Sequence, residues 1–151
     1  MNAPLTFAGV MDDTITYFEI PGQPRPQPRH RATKHGTLYL PGDAPVRAYK
    51  DAIRLAAIAA GLKPHAEAVY ITQHFIFARP ASHINAAGLV KRGAKGWPRG
   101  DVDNYEKALW DALKGSAFTD DDQIVQAAST KAYAPAGEPS RTRVWIRRAQ
   151  T

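Results

Sequence analysis

The stretch that decides the fold is RGDVDNYEKALWDAL, residues 99–113. Its apolar side chains recur every three or four residues, which is the spacing of one face of an α-helix. The pattern predicts a helix over residues 102–114, stopped at Gly115. Asp103 and Lys107 lie on one flank of this helix, one turn apart. The predicted buried stripe consists of Val102, Tyr105, Ala108, Leu109, Ala112 and Leu113.

The same region concentrates negative charge in a chain that is otherwise basic. Seven of the 14 acidic residues fall between Asp101 and Asp122, whereas the other 129 positions carry 18 of the 20 Lys and Arg residues. Carboxylates this close repel one another, so their charge must be offset. A divalent cation is the simplest candidate, and oxygen ligands without cysteine or histidine select Mg²⁺ or Mn²⁺.

Two interpretations of these acids stay open on spacing alone. In the first, Asp101 and Asp103 straddle the helix start, and an antiparallel strand brings Asp121 back beside them. Three carboxylates holding Mg²⁺ would suit phosphodiester hydrolysis, with Lys107 neutralising charge on the phosphate. In the second, the acids only cap the helix and form a polar turn, because Asp is preferred at helix starts.

Eight of the 20 basic residues lie in two segments that precede this acidic region. The net charge of +6 and the pI near 9.7 favour a polyanionic partner, nucleic acid above all. Prolines alternate with cations over residues 23–34 and hold that segment extended, either as a solvated linker or as a phosphate-contacting arm. Residues 80–100 are predicted to form a long flexible loop, of a length that is often functional. The predicted DNA contacts are Arg25, Arg29, Arg31, Lys91, Arg92, Lys95 and Arg99.

Composition argues against several other classes of protein. Cysteine is absent, which fits a reducing cytoplasm, and no apolar run approaches the roughly 20 residues of a membrane span. None of the five histidines pairs at a metal-ligand spacing, so zinc is not predicted. The sequence contains no glycine-rich phosphate loop, which argues against a nucleotide phosphohydrolase. Residues 1–13 are interpreted as a loose leader without the pattern of a signal peptide.

The remaining periodicity predicts one α/β (α+β) domain over residues 1–151. A second helix is expected between Asp43, its N-cap, and Gly61. Alternating apolar and β-branched residues predict strands at 14–20, 37–40, 69–78, 124–133 and 142–147. We therefore expect a mixed β-sheet of about four or five strands packed by two main helices.

The motif D-x-D-N-x-x-K-x-x-x-D-A-L in residues 101–113, followed by FTDDDQIV at 118–125, resembles that of the RusA-type Holliday junction resolvases. These are metal-dependent endodeoxyribonucleases common in bacteria and their phages. The segment PGQPRPQPRHR at 21–31, with the later Tyr49, is also similar to the family's N-terminal pattern. The resemblance extends over about residues 15–148 and implies the fold given above.

The resemblance implies specific roles for five residues. Asp101, Asp103 and Asp121 would be the catalytic, metal-binding acids, Lys107 the catalytic lysine and Asp120 a supporting ligand. It also implies a cytoplasmic, Mg²⁺-dependent homodimer that nicks two opposed strands of a four-way DNA junction symmetrically, in recombination and repair. A catalytically silent protein that only binds branched DNA is the alternative.

Two departures from the family's pattern lie near the second group of acids. The segment after Asp111 is about one residue shorter, and Asp122 adds an acid where the family often has a small residue. The sequence therefore leaves open which residue of 120–122 is the ligand.

Overall fold

The four strands of the main sheet and both α-helices form where the side-chain periodicity predicts them, whereas the short strand Arg31–Ala32 was not predicted. The structure is a computed structural model that describes residues 15–29, 31–36, 38–39 and 44–149. Expectations for Thr14, Thr37, Leu40, Asp43 and the leader 1–13 lie outside these residues. In chain order the elements are β1 (Thr16–Pro21), β2 (Arg31–Ala32), β3 (Leu38–Tyr39), α1 (Ala44–Ala59), β4 (Val69–Phe77), α2 (Val102–Leu113), β5 (Ile124–Tyr133) and β6 (Arg141–Arg148). Short 3₁₀ helices cover Ala81–His83 and Asp121–Gln123.

Four of the strands form one mixed sheet with the order β1-β6-β4-β5. β4 and β5 run parallel and are joined through α2, while β6 is antiparallel to both β1 and β4. A parallel pair needs such a crossover connection, and a helix is its usual form. β2 and β3 make a separate two-stranded ribbon. The predicted mixed sheet with two helices is confirmed.

The core lies between one face of the sheet and the two helices. On β4 it is formed by Val69, Ile71, Phe75 and Phe77, and on α1 by Val46, Tyr49, Ile53 and Ala57. The buried stripe of α2 is confirmed from Tyr105 onward, whereas Val102, at the first helical position, is 37% exposed. Both helices are amphipathic, and none in the described ranges is long and apolar enough to cross a membrane.

Two polar contacts join α1 to its neighbours. Buried Tyr49 shares a 2.8 Å hydrogen bond with the hydroxyl of Thr142 on β6. Lys50, whose side chain is only 13% exposed, donates to Asp111 of α2 at 2.6 Å. Asp111, part of the acidic region in the sequence, therefore forms an ion pair between the two helices.

Candidate metal and nucleic-acid site

Asp101 stands at the N-cap position of α2 without acting as a cap through its side chain. Its backbone is extended, with φ −85° and ψ 133°, and its carboxylate makes no capping hydrogen bond. The side chain is 74% exposed, and Asp103 in the first helical turn is exposed as well. The capping interpretation of Asp101 is therefore wrong, and two acids face solvent at the start of this helix.

Two side-chain hydrogen bonds fix the backbone that immediately precedes Asp101. The hydroxyl of Tyr105 donates to the carbonyl of Arg99 at 3.0 Å, and the ammonium of Lys131 on β5 donates to the carbonyl of Gly100. Gly100 has φ +94°, a backbone region that L side chains rarely adopt. The strand β5 and the buried ring of Tyr105 together hold the start of α2 in place.

The proline-rich segment over residues 22–29 docks beside these acids. The amide of Gln27 donates to the carbonyl of Asn104 at 2.9 Å, which fastens the segment to the first turn of α2. Arg29 approaches Asp101 at 3.5 Å, and both side chains are about three-quarters exposed. An exposed pair of this kind contributes little stability. Arg25 lies close enough to Tyr105 for its charge to oppose the rise that burial causes in the pKa of that phenol.

The described arm residues thus pack against the first turn of α2 rather than extending away as a free linker. The side chain of Arg31 lies outside the residues that the structure describes. The predicted DNA-contact roles of all these cations stay predictions.

The loop between β4 and α2 contains ordered turns that display its cations. A bridge pairs Ile84 with Val90, and the guanidinium of Arg79 donates to the carbonyl of Lys95 at 2.7 Å. The loop leads directly into α2. Its predicted DNA contacts, Lys91, Arg92, Lys95 and Arg99, are all exposed.

Trp97, in the same loop, is 61% exposed, and the ammonium of Lys95 lies 5.5 Å from its ring centroid. By contrast Trp145 is buried and packs against Tyr17 and His74, and Trp110 is half-buried on α2. From the sequence, all three tryptophans could serve the core or a dimer surface, with the core favoured for Trp145, and that expectation for Trp145 is confirmed.

A polar network beneath α2 was missed from the sequence. Trp110 donates to the amide oxygen of buried Gln73 at 3.1 Å, and the Gln73 amide donates to Ser129 at 2.5 Å. Ser129 then donates to Glu106 at 2.6 Å. Lys107, the next residue along α2, is exposed one turn from Asp103. The signal in the sequence was Gln73 inside strand β4, which also contains the polar residues Thr72 and His74.

The second group of acids precedes β5. Asp120 lies 3.4 Å from the ammonium of Lys114 at the end of α2. Asp120 and Asp121 share a side-chain hydrogen bond, which raises the pKa of Asp121 and lowers that of Asp120. The Gln123 side chain accepts from the Asp120 amide at 2.8 Å and shapes the turn.

The two groups of acids lie at opposite ends of α2. Asp101 begins the helix, and Asp120 contacts Lys114, which ends it. Twelve helical residues rise roughly 18 Å, far beyond the span of ligands on one ion. In the described part of a single chain, no three His, Asp or Glu residues are placed to hold a metal.

The expectation that the chain returns Asp121 beside Asp101 and Asp103 is therefore wrong for one copy. The predicted antiparallel course of β5 along α2 is correct, since Ser129 contacts Glu106 and Lys131 contacts Gly100. That same course places the residues before β5 at the far end of the helix. The predicted catalytic and metal-binding roles of the individual acids stay predictions.

The donor set at the helix start nevertheless fits a hard cation. Mg²⁺ in enzymes is commonly bound by one or two carboxylates, with waters and substrate phosphates completing its shell. Asp101 and Asp103 offer exposed oxygen ligands that the helix does not use as caps. Arg29 lies 3.5 Å from Asp101 and Lys107 is exposed one turn from Asp103, so both supply positive charge that a phosphate would require.

Comparison with known proteins supports the resemblance seen in the motif. The family model described as "Endodeoxyribonuclease RusA" matches residues 21–147, which covers most of the chain. A search of curated proteins found no match. The matched range includes the proline-rich arm, the acidic helix start and the acidic turn before β5. The chain belongs to the RusA endodeoxyribonuclease family.

Proposed function

We propose that this protein is a Mg²⁺-dependent, structure-specific endonuclease that resolves Holliday junctions by paired symmetric cleavage, in DNA recombination and repair. Family membership supports endodeoxyribonuclease activity on junctions. The observation that carries the proposal further is the uncapped, exposed Asp101 beside Asp103, with Lys107 one turn along and Arg29 at 3.5 Å. A silent junction-binding protein would leave these acids to serve only as caps, which Asp101 does not do.

Each group has a distinct part in the proposed reaction. Asp101 and Asp103 would hold Mg²⁺, which supplies charge neutralisation at the phosphate and activation of water. Lys107 would stabilise negative charge that develops on the attacked phosphate. The arm and loop cations would hold backbone phosphates, which gives affinity with little sequence information.

The separation of the acids adds a requirement for two copies. Asp121, with Asp120 as a supporting ligand, would join the Asp101–Asp103 pair of a second chain rather than of its own. A two-fold dimer would then contain two equivalent composite sites. Two such sites suit a four-way junction, in which two opposed strands are nicked symmetrically.

The test of activity is nicking of a synthetic four-way junction with and without Mg²⁺, compared with linear duplex. Asp121→Asn is expected to abolish cleavage while junction binding persists, and Asp51→Asn, on the exposed surface of α1, serves as the matched control. Asp122→Asn, tested in the same way, decides whether Asp121 or Asp122 is the metal ligand. Undiminished cleavage by Asp121→Asn would remove its assigned role, and equal rates on junction and duplex would remove structure specificity.

The composite arrangement is tested by mixing two inactive variants. In a mixed dimer of Asp103→Asn and Asp121→Asn chains, one site would lose both acids and the other would keep both. After subunit exchange, roughly a quarter of the sites should be intact, so single nicking should return. A site built within one chain gives no recovery on mixing.

A further inference from the structure

Trp97 displays a large aromatic ring on the loop that leads into α2. The residue is 61% exposed, whereas its neighbour Pro98 is buried. The backbone at this point is therefore packed against the body of the protein, and the indole faces solvent. Residues 80–100 contain four Lys or Arg residues and no Asp or Glu. An aromatic ring displayed among cations is the kind of surface on which proteins stack the bases of nucleic acids.

Hydrogen bonds on both sides of Trp97 fix the position of its backbone. Before it, the guanidinium of Arg79 donates to the carbonyl of Lys95 at 2.7 Å. After it, the hydroxyl of Tyr105 donates to the carbonyl of Arg99 at 3.0 Å. A side chain held in place before binding loses less conformational entropy when it meets a ligand than one on a free loop. Trp97 is therefore a preorganised contact.

The ring lies close to the acids at the start of α2. Trp97 precedes Asp101 by four residues, and four residues of extended chain span at most about 14 Å. Successive phosphates on one DNA strand are about 3.4 Å apart along the helix axis. A base that contacts Trp97 would therefore lie within about four nucleotides of a phosphate held near Asp101.

We propose that Trp97 stacks on a base whose face is exposed at the branch point, and that this contact discriminates a four-way junction from linear duplex. Within a linear duplex each base lies between two neighbours, so no face is open to an indole. At a branch point the strands exchange partners, and the base pairs that flank it can lose a stacking neighbour. The inference rests on the proposed function, because it assigns recognition of the branch to a residue beside the proposed cleavage site.

Lys95 gives the ring a second favourable feature. Its ammonium lies over the indole of Trp97, 5.5 Å from the ring centroid, an arrangement that attracts the cation to the π electrons. With the cation over one face, the other face is available to a base. A cation beside the ring is also placed to meet the phosphate of the stacked nucleotide. Because every base has a π face, such a contact would recognise the structure of the DNA rather than its sequence.

Binding measured in EDTA tests the contact without strand cleavage. Trp97→Ala should weaken binding to a synthetic four-way junction by about 5- to 150-fold, the range for loss of one stacked base, and leave binding to linear duplex unchanged. Trp97→Phe should retain most of the affinity, because a phenyl ring also stacks on bases. Leu55→Ala, at a position 69% exposed on α1, is the control and should change neither affinity. An unchanged urea unfolding midpoint checks that the Trp97→Ala fold is intact.

Removal of single bases identifies the partner of Trp97. Bases within about four nucleotides of the branch point are deleted, one symmetry-related pair at a time, while the sugar–phosphate backbone is kept. Trp97→Ala should have little effect on the junction that lacks the stacked base, and its full effect on the other junctions. A tryptophan that only shapes the loop would give the same loss on every junction.

Any of three results overturns the contact. The first is a Trp97→Ala protein whose affinities for junction and duplex are unchanged or fall equally. The second is a loss that persists on every junction with deleted bases. The third is a weaker dimer of Trp97→Ala in analytical ultracentrifugation, which would place the indole against another copy of the chain.

The same measurements separate this contact from the proposed function. If the wild-type protein nicks junctions in Mg²⁺ while no deleted base changes the effect of Trp97→Ala, the proposed function stands and the stacking contact fails. If one deleted base removes that effect on a protein that does not nick junctions, the contact stands and the proposed function fails.

Discussion

Gly100→Ala is expected to destabilise the protein more than the same substitution at an exposed turn glycine. The residue has φ +94°, and a side chain in the left-handed region costs about 1–2 kcal/mol. The added Cβ would also lie 2.7 Å from the Tyr105 hydroxyl oxygen and 2.9 Å from Cε2 of the ring. That ring is buried against Phe75 and Phe77, so it has little room to withdraw. Displacing it would also weaken its hydrogen bond to Arg99, which adds about 1 kcal/mol.

The expected total is about 2–4 kcal/mol, measured as the shift in the urea unfolding midpoint at an unchanged slope. Gly137→Ala is the matched control, because Gly137 has φ +85° with no atom within 4 Å of the added Cβ. Its cost should be only the backbone term of about 1–2 kcal/mol. A Gly100→Ala protein no less stable than Gly137→Ala would refute the claim that Tyr105 closes over this turn. Adding Tyr105→Phe to Gly100→Ala should recover part of the loss, since it removes the closest atom.

Two further predictions concern buried polar groups. Tyr49→Phe leaves the Thr142 hydroxyl without its partner in the core and should lower the free energy of unfolding in urea by about 1–3 kcal/mol. The Tyr49→Phe/Thr142→Val double variant should regain part of this loss. If the losses of the two single variants simply add in the double variant, the pairing is contradicted. Burial, assisted by the charge of Arg143, lowers the pKa of His74 below 6.5. Below about pH 6.5 His74 therefore binds a proton more readily in the unfolded chain than in the folded one. Stability should therefore fall as the pH is lowered below about 6.5, and His74→Gln should flatten that fall. An unchanged slope would show that His74 does not contribute.

The fold was predictable because its periodic signals are strong and local. The boundaries of α2 follow from apolar spacing that ends at Gly115, and the structure gives Val102–Leu113 for a predicted 102–114. β4 and β5 were recognised as runs of apolar and β-branched residues, and their observed ranges differ from the predicted ones by at most one residue. Val102 was misplaced because helical spacing alone does not show where the core stops.

The candidate acids could be identified from the sequence, but their arrangement in space could not. Motif and charge singled out Asp101, Asp103 and Asp121, yet their separation depends on which end of α2 the chain reaches before β5. An antiparallel course brings back the end of β5, not its beginning, and this follows only from the direction of the chain in space. The hydrogen bond between Gln73 and Ser129 could not be predicted either, because residues 56 positions apart carry no signal of pairing in the sequence.

The position of β6 in the sheet has a consequence for biosynthesis. β6 comes after the other five strands along the chain but lies between β1 and β4 in space. While a ribosome is still producing residues before Arg141, β1 has no neighbour and only the β4–β5 part of the sheet can form. Native structure must therefore wait for residues 141–148, and nascent chains shorter than this expose two further unpaired strand edges, one on β1 and one on β4. A premature stop before Arg141 would yield an aggregation-prone fragment rather than a smaller working nuclease.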